Sequence, residues 1–247
     1  MLLRKPMIVV LCALGASSLL AGIDSGVARV EVSPVQMWFS SGPGDAPGEV
    51  VFSPALQAAL KNNGERPYAN VMALVAAVEA AVLVKHEGRQ SSYFTGNPDV
   101  APLCPSDGPL RVHLLVQVEY PHAPRVPGFQ LDRERLPGAF RAACPNTVVT
   151  VHENIGKADW DGLLEAVGQS ALEPLGRTLV YVSGQGAKID GVDRVLAVDS
   201  PMKSKEQALE DSLNVAVLHG RLQSSCRNRC AVWLDVDRQA YPRTSNR

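Results

Sequence analysis

Four polar side chains close two apolar runs, and they are the residues of this chain best placed to do chemistry. Thr178-Leu-Val-Tyr-Val-Ser-Gly-Gln-Gly186 carries Ser183 and Gln185. Cys230-Ala-Val-Trp-Leu-Asp-Val-Asp-Arg238 carries Asp235 and Asp237. An apolar run of about five residues that stops in small or acidic residues reads as a strand buried on both faces, leaving a parallel sheet. Ligands of open α/β sheets gather at such carboxyl ends. Asp235 and Asp237 alternate along the run, so a strand puts both carboxylates on one face. That pair offers oxygen ligands to a hard cation such as Ca²⁺. Two carboxylates are too few for a calcium cage, so an acidic edge, solvated or paired with Arg238, is the favoured reading. No metal and no cofactor are expected.

The two runs resemble the paired motifs of caspase-type peptidases, in the metacaspase and bacterial caspase-like branch. That family writes apolar-Ser-Gly-His-Gly, then Leu-Asp-x-Cys-Arg. Here the first motif reads Ser183-Gly184-Gln185-Gly186 and the second Leu234-Asp235-Val236-Asp237-Arg238. The resemblance puts Gln185 at the histidine position and Asp237 at the cysteine position. An amide cannot exchange protons near neutral pH. A carboxylate is a weak nucleophile toward amides and repels the oxyanion that acyl transfer creates. The resemblance also implies a pocket for a basic side chain, built from Asp132 (four residues after Gly128), Ser183 and Asp235. The expectation is a catalytically inactive caspase-like module that binds a peptide or protein partner, one that offers a basic residue. The alternatives are a hydrolase with an unfamiliar residue set and a structural envelope protein. His122 and His152 fall in loops at the same predicted edge. With no thiol to activate, they read as polar loop histidines. His86, His113 and His219 fall within predicted elements and carry no signal.

Several elements must position these residues. Arg111 to Glu119 reads as an apolar strand, and Leu131 to Ala143 as an amphipathic helix that Pro137 bends or restarts. Thr147 to Val151 is a β-branched strand. Asp159 to Ala171 is a helix capped by Asp159. Thr178 to Ser183 is a strand, with a hairpin near Val192 to Val198. Ser204 to Leu222 reads as one helix and Ala231 to Asp235 as the last strand. The order βαβαβ, hairpin, αβ predicts an α/β fold: a three-layer, doubly wound, mostly parallel sheet. From Leu110 to Arg238 it matches the large-subunit half of the caspase fold, without the two further strands of that family, and residues 110–247 read as one caspase-like α/β domain. Residues 27–103 read as an N-terminal extension. Within it, Val27 to Val32 reads as a loose strand. Pro54 to Asn63 reads as a short helix with Ser53 as N-cap, and Tyr68 to His86 as a nearly apolar, buried helix. Gly96 to Pro109 is a proline-rich linker. The extension is a candidate cover for the open sheet edge.

Composition bounds the partners. The chain has 247 residues, 46% hydrophobic, with 24 basic against 25 acidic side chains. It has no basic stripe, so no nucleic-acid partner is expected. Arg4 and Lys5 precede an apolar stretch, Met7 to Leu20, and small residues follow. Residues 1–22 therefore read as a signal peptide, and the protein as secreted or periplasmic. Membrane association follows only if residues 7–22 stay uncleaved as an anchor. Beyond the signal, Cys104, Cys144, Cys226 and Cys230 suggest disulfides. Four cysteines allow three pairings. Cys226 and Cys230 can close a small loop, while Cys144 and Cys230 also read as buried small hydrophobes.

Overall fold

The computed structural model describes residues 36–40, 52–85, 93–95, 102–121, 127–201, 203–225 and 229–239. In chain order its elements are β1 (Gln36–Phe39), α1 (Phe52–Glu65), α2 (Val71–Lys85), β2 (Tyr93–Thr95), β3 (Leu110–Val116), α3 (Pro127–Ala143) and β4 (Thr147–Glu153). After a 3₁₀ turn at Lys157–Asp159 come α4 (Trp160–Leu172), β5 (Arg177–Ile189), β6 (Val192–Leu196) and α5 (Lys205–Glu210). The last described elements are β7 (Ser212–Asn214), α6 (Val215–Ser225) and β8 (Cys230–Gln239).

The fold is mixed α/β around a mostly parallel sheet. Its order is β2-β1-β8-β5-β3-β4, with β6 and β7 continuing off β5. The strands β1, β8, β5, β3 and β4 run parallel, while β2, β6 and β7 join antiparallel. Alternation along β5 shows why the runs are apolar throughout. Leu179 and Tyr181 enter a core with α1, α2 and α3, whereas Val180 and Val182 enter a second core with α4 and α6. Both faces of the central strands are thus covered by helices, which removes any polar alternation.

The described residues all fall within one compact unit, Val32–Arg247. The signal segment and the loose strand expected over 27–32 lie outside the described residues. Helices α1 and α2, from the stretch expected as an N-terminal extension, share the core of Leu114, Tyr181 and Trp233. Trp38 of β1 packs edge-on against Trp233, with ring centroids 5.3 Å apart. Strand β1 pairs along β8 from Gln36↔Ala231 to Phe39↔Leu234, so the β8 edge is covered. Helix α2 fits the expected apolar helix, with Val71, Leu74, Val75, Val78 and Val82 buried. Among the described residues no helix is long and apolar enough to cross a membrane.

Several local readings change. Ser53 is not an N-cap; it sits inside α1 and is fully buried. Asp159 stands at the N-cap of α4 but makes no side-chain capping bond. The single helix expected over Ser204 to Leu222 is broken by β7, which pairs with β6. Ser204 caps α5 by accepting from the Gln207 N–H at 3.1 Å, and the Asn214 side chain accepts from the Ala216 N–H at 2.8 Å as α6 begins. Two caps in one stretch mean two helices. Pro137 stays inside one continuous α3. Strand β5 runs past Ser183 to Ile189 and folds back into β6 through Asp190 and Gly191, at φ 51° and 80°. Asp-Gly with both residues at positive φ is the expected chemistry of a two-residue hairpin turn.

Cys104 and Cys144 are joined by a disulfide spanning 40 residues of sequence. It ties the segment ahead of β3 to the end of α3. Cys230 is also disulfide-bonded, to a partner outside the described residues. Cys144 and Cys230 are buried, but they are not the free hydrophobic thiols of the alternative reading.

Candidate functional site

The two chemical runs lie side by side. Strands β5 and β8 pair in parallel, with Ser183↔Asp235 and Gln185↔Asp237 as successive same-face partners. The four positions singled out in the sequence therefore form two adjacent rows inside β5 and β8, level with and just beyond the carboxyl ends of the flanking β3 and β1. The backbone of Asp237 is placed by this register; its side chain, like His122, lies outside the described residues.

Asp132 joins the first row from α3. Its carboxylate accepts a hydrogen bond from the Ser183 hydroxyl at 2.6 Å and another from the Ser53 hydroxyl of α1. The Gln57 side-chain amide donates to Ser53 at 3.0 Å. Tyr181, one row earlier on the same face of β5, donates its hydroxyl to Asp235 at 3.1 Å. Asp132, Ser183, Tyr181 and Ser53 are buried, and Asp235 is partly exposed. Asp132, Ser183 and Asp235 come from distant parts of the chain, and the fold brings them together. Ser53 and Tyr181 complete the group and were missed in the sequence. Tyr181 carried a usable signal, because it alternates with Ser183. Ser53 carried none, since it arrives on a helix remote in sequence.

The electrostatics follow from two carboxyl groups in a dry corner. Burial first and the nearby Asp235 second raise the Asp132 pKa to about 7, while the Ser183 and Ser53 hydrogen bonds oppose the rise. A carboxyl group out of water beside a like charge holds its proton. Burial also drives the Tyr181 hydroxyl well above its ordinary value, with the charges of Asp132 and Asp235 adding to it. The group has two acidic functions, but Asp132 is only 1% exposed. Both of its oxygens are already engaged, one by Ser53 and one by Ser183, so Asp235 is the carboxylate of the group that solvent reaches.

The second row is held by a different set of contacts. Gln185 is buried, and its backbone N–H donates to the Tyr120 hydroxyl at 2.9 Å. The Tyr120 hydroxyl faces the Leu196 carbonyl at 3.4 Å, so one phenol ties the Ser-Gly-Gln-Gly segment to β6. A methyl group on Gly184 would meet Gln117 Cβ and the Tyr120 hydroxyl oxygen, both at 2.9 Å. One on Gly186 would meet Val236 Cγ1 at 2.2 Å and the Arg194 carbonyl oxygen at 2.6 Å. Both motif glycines are required by close packing of strand against strand and loop.

The histidines behave differently from the sequence expectation. His152 is in β4 rather than in the loop beyond it, and its Nε2 lies 3.1 Å from His113 Nδ1 of β3. The rings stack, with centroids 5.4 Å apart. Burial holds His113 down to about 4, the neighbouring His152 adds to this, and burial lowers His152 as well. Both shifts favour the uncharged ring, so one imidazole donates its N–H to the bare nitrogen of the other. Among the described residues no group of three or more His, Cys, Asp or Glu is gathered to hold a metal ion. No family model matches the chain, and no curated protein matches it.

Proposed function

We propose that the protein is an exported, caspase-like but non-catalytic binding module that recognises a basic side chain of a peptide or protein partner. The observation that carries this is the convergence of Asp132, Ser183 and Asp235 where β5 and β8 emerge beyond β3 and β1. Two carboxyl groups flanked by hydroxyls form an acceptor-rich corner suited to a guanidinium or ammonium group. The register partners Gln185 and Asp237 next to it support the pseudo-peptidase half of the reading. In a caspase-like frame they replace the imidazole and the thiol, and neither can supply thiolate chemistry. The Ser53 hydroxyl then acts as a stand-in donor, occupying the corner until a basic group replaces it.

The test pairs a binding assay with a cleavage assay. Arrayed peptides bearing Arg or Lys should bind, and binding should fall at least about tenfold in Asp235→Ala and in Asp132→Asn, the loss of one charge-assisted hydrogen bond or more. The same peptides should remain uncut, with and without Ca²⁺. Turnover that disappears on changing Gln185 or Asp237 would establish the hydrolase alternative. Binding indifferent to Asp132 and Asp235 would leave the fold as a scaffold only.

A further inference from the structure

Strand β4 ends the sheet on the side opposite β2, and among the described residues nothing pairs with its outer edge. The strand reads Thr147-Val-Val-Thr-Val-His-Glu153, five β-branched residues in succession. It has no proline, no lysine and one charge, Glu153, at its end. Val148 is 54% exposed and Val151 36%, and Thr150 is exposed between them. Edge strands are ordinarily blunted by charge, proline, a bulge or brevity. The far edge uses brevity, since β2 has three residues. The β4 edge uses none of these devices, which is the composition of a strand that is meant to be paired.

We infer that β4 is a homodimerisation edge, pairing antiparallel with the β4 of a second copy about a two-fold axis at Thr150. The backbone decides which groups are available. The Asn154 N–H donates to the Val116 carbonyl at 3.1 Å, so the even-numbered residues of β4 turn their peptide groups toward β3. By alternation Val149, Val151 and Glu153 turn theirs outward. The Thr147 N–H is already used by the Cys144 carbonyl, but the Thr147 carbonyl is on the outward set. Antiparallel partners must share a face, so odd residues meet odd ones. Centring on Thr150 pairs the whole strand: Val149 with the partner's Val151, and Thr147 with the partner's Glu153. Val148 then stands beside the partner's His152, and Thr150 meets itself in a non-hydrogen-bonded pair. Moving the axis by one residue to Val149 or Val151 keeps the parity but shortens the ladder by two residues at one end.

Charge agrees with this register. The single carboxylate of each strand faces a threonine, never its own copy, and Arg133 holds Glu153 in an ion pair at 3.3 Å. Cross-strand Val–Val neighbours and the Val148–His152 contact cover the side chains that one chain leaves in water. The occupant is a second copy because the strand meets itself without conflict: its one carboxylate, Glu153, falls opposite a threonine at each end, and only Val, Thr and His side chains stand between them.

Sedimentation velocity on the purified chain, from about 1 to 200 µM, reads the outcome. A reversible species of twice the 26.4 kDa chain mass is expected to grow with concentration. Thr150→Lys sets like charges against each other at the axis and should hold the chain at monomer mass, as should Thr150→Glu. An equimolar mixture of those two should regain the dimer, because only this register places residue 150 opposite itself. Thr150→Cys, a milder change at an exposed position, should give a disulfide-linked species of twice the chain mass under a mild oxidant. A wild-type chain that stays monomeric throughout overturns the inference, as would be the case if another protein's strand were the natural occupant. A dimer that survives Thr150→Lys, or charge-swapped variants that ignore each other together with an uncrosslinked Thr150→Cys, also overturns it.

Discussion

At the scale of single residues, the acidic corner and the glycine frame make separate predictions. Asp132 is held near pH 7 by burial first and by Asp235 second. A basic ligand favours the ionised form, so binding must expel the proton. Affinity for an Arg peptide should therefore fall as pH drops below about 7, by up to about tenfold per pH unit, and Asp132→Asn should flatten that slope. Titration calorimetry at several pH values checks it. The glycines are tested by stability. Gly186→Ala forces a methyl group into Val236 and the Arg194 carbonyl and should cost about 1–3 kcal/mol. Gly168 and Gly220 lie in α4 and α6 with open space around the added carbon, so Ala there should stabilise by about 0.5–1 kcal/mol. Urea midpoints separate the two classes. The serine, the glycines and the acidic ends of the two runs were readable because each interrupts an apolar run, although the strands themselves continue to Ile189 and Gln239. The hydroxyl of Ser53 was not, because its role is set by a packing between α1 and α3 that no local pattern encodes.

At the scale of elements, the strands at the centre of the sheet declared themselves and those at the rim did not. β3, β5 and β8 are apolar on both faces, a pattern that survives without knowledge of their neighbours. β1 has four residues and β2 three, too short for any period to register. β1 is a strand because β8 offers it an edge. The break between α5 and α6 was hidden for a similar reason. Leu213 keeps the helical spacing of apolar residues, but it is buried from β7 by pairing with Val195. Ser204 and Asn214, two cap residues in one apparent helix, were the overlooked sign. Helix α3 matters most to the site, since it carries Asp132, and its far end is pinned by the Cys104–Cys144 bridge. The Asn63 amide also donates to the Ala143 carbonyl at 3.2 Å, joining α1 to the same point. Closing a loop of this length in the unfolded chain is worth roughly 3–4 kcal/mol. Cys104→Ser with Cys144→Ser should lower the melting temperature accordingly, and it should weaken peptide binding beyond the loss of stability if α3 shifts Asp132 relative to Ser183. Calorimetry and the peptide assay on the same variant distinguish the two effects.

For the molecule as a whole, two buried groups on opposite faces of the sheet pull its stability in opposite directions with pH. The folded pKa of Asp132, about 7, lies above its ordinary 3.8. Its contribution is full below pH 3.8 and is lost as pH rises through about 7. The folded pKa of His113, about 4, lies below its ordinary 6.5. Its contribution is full above pH 6.5 and is lost as pH falls through about 4, and the lowered His152 acts in the same sense. The windows overlap between pH 4 and 6.5, and there the two slopes oppose each other. Each has a ceiling of about 1.4 kcal/mol per pH unit. The native chain should therefore show a nearly flat stability across that interval, where one buried group alone would give a ramp. Asp132→Asn should uncover stability that climbs with pH from 4 to 6.5, and His113→Asn should uncover stability that declines over the same range. Asp107, Glu206 and Glu210 also have lowered values, but these side chains lie at the surface and solvent screens their part. Denaturant midpoints at four or five pH values for the three proteins decide the matter. Profiles that run parallel in all three would mean that neither the carboxyl group behind Ser53 nor the stacked imidazoles keep their shifted protons in the fold, and the acidic corner would lose its electrostatic basis.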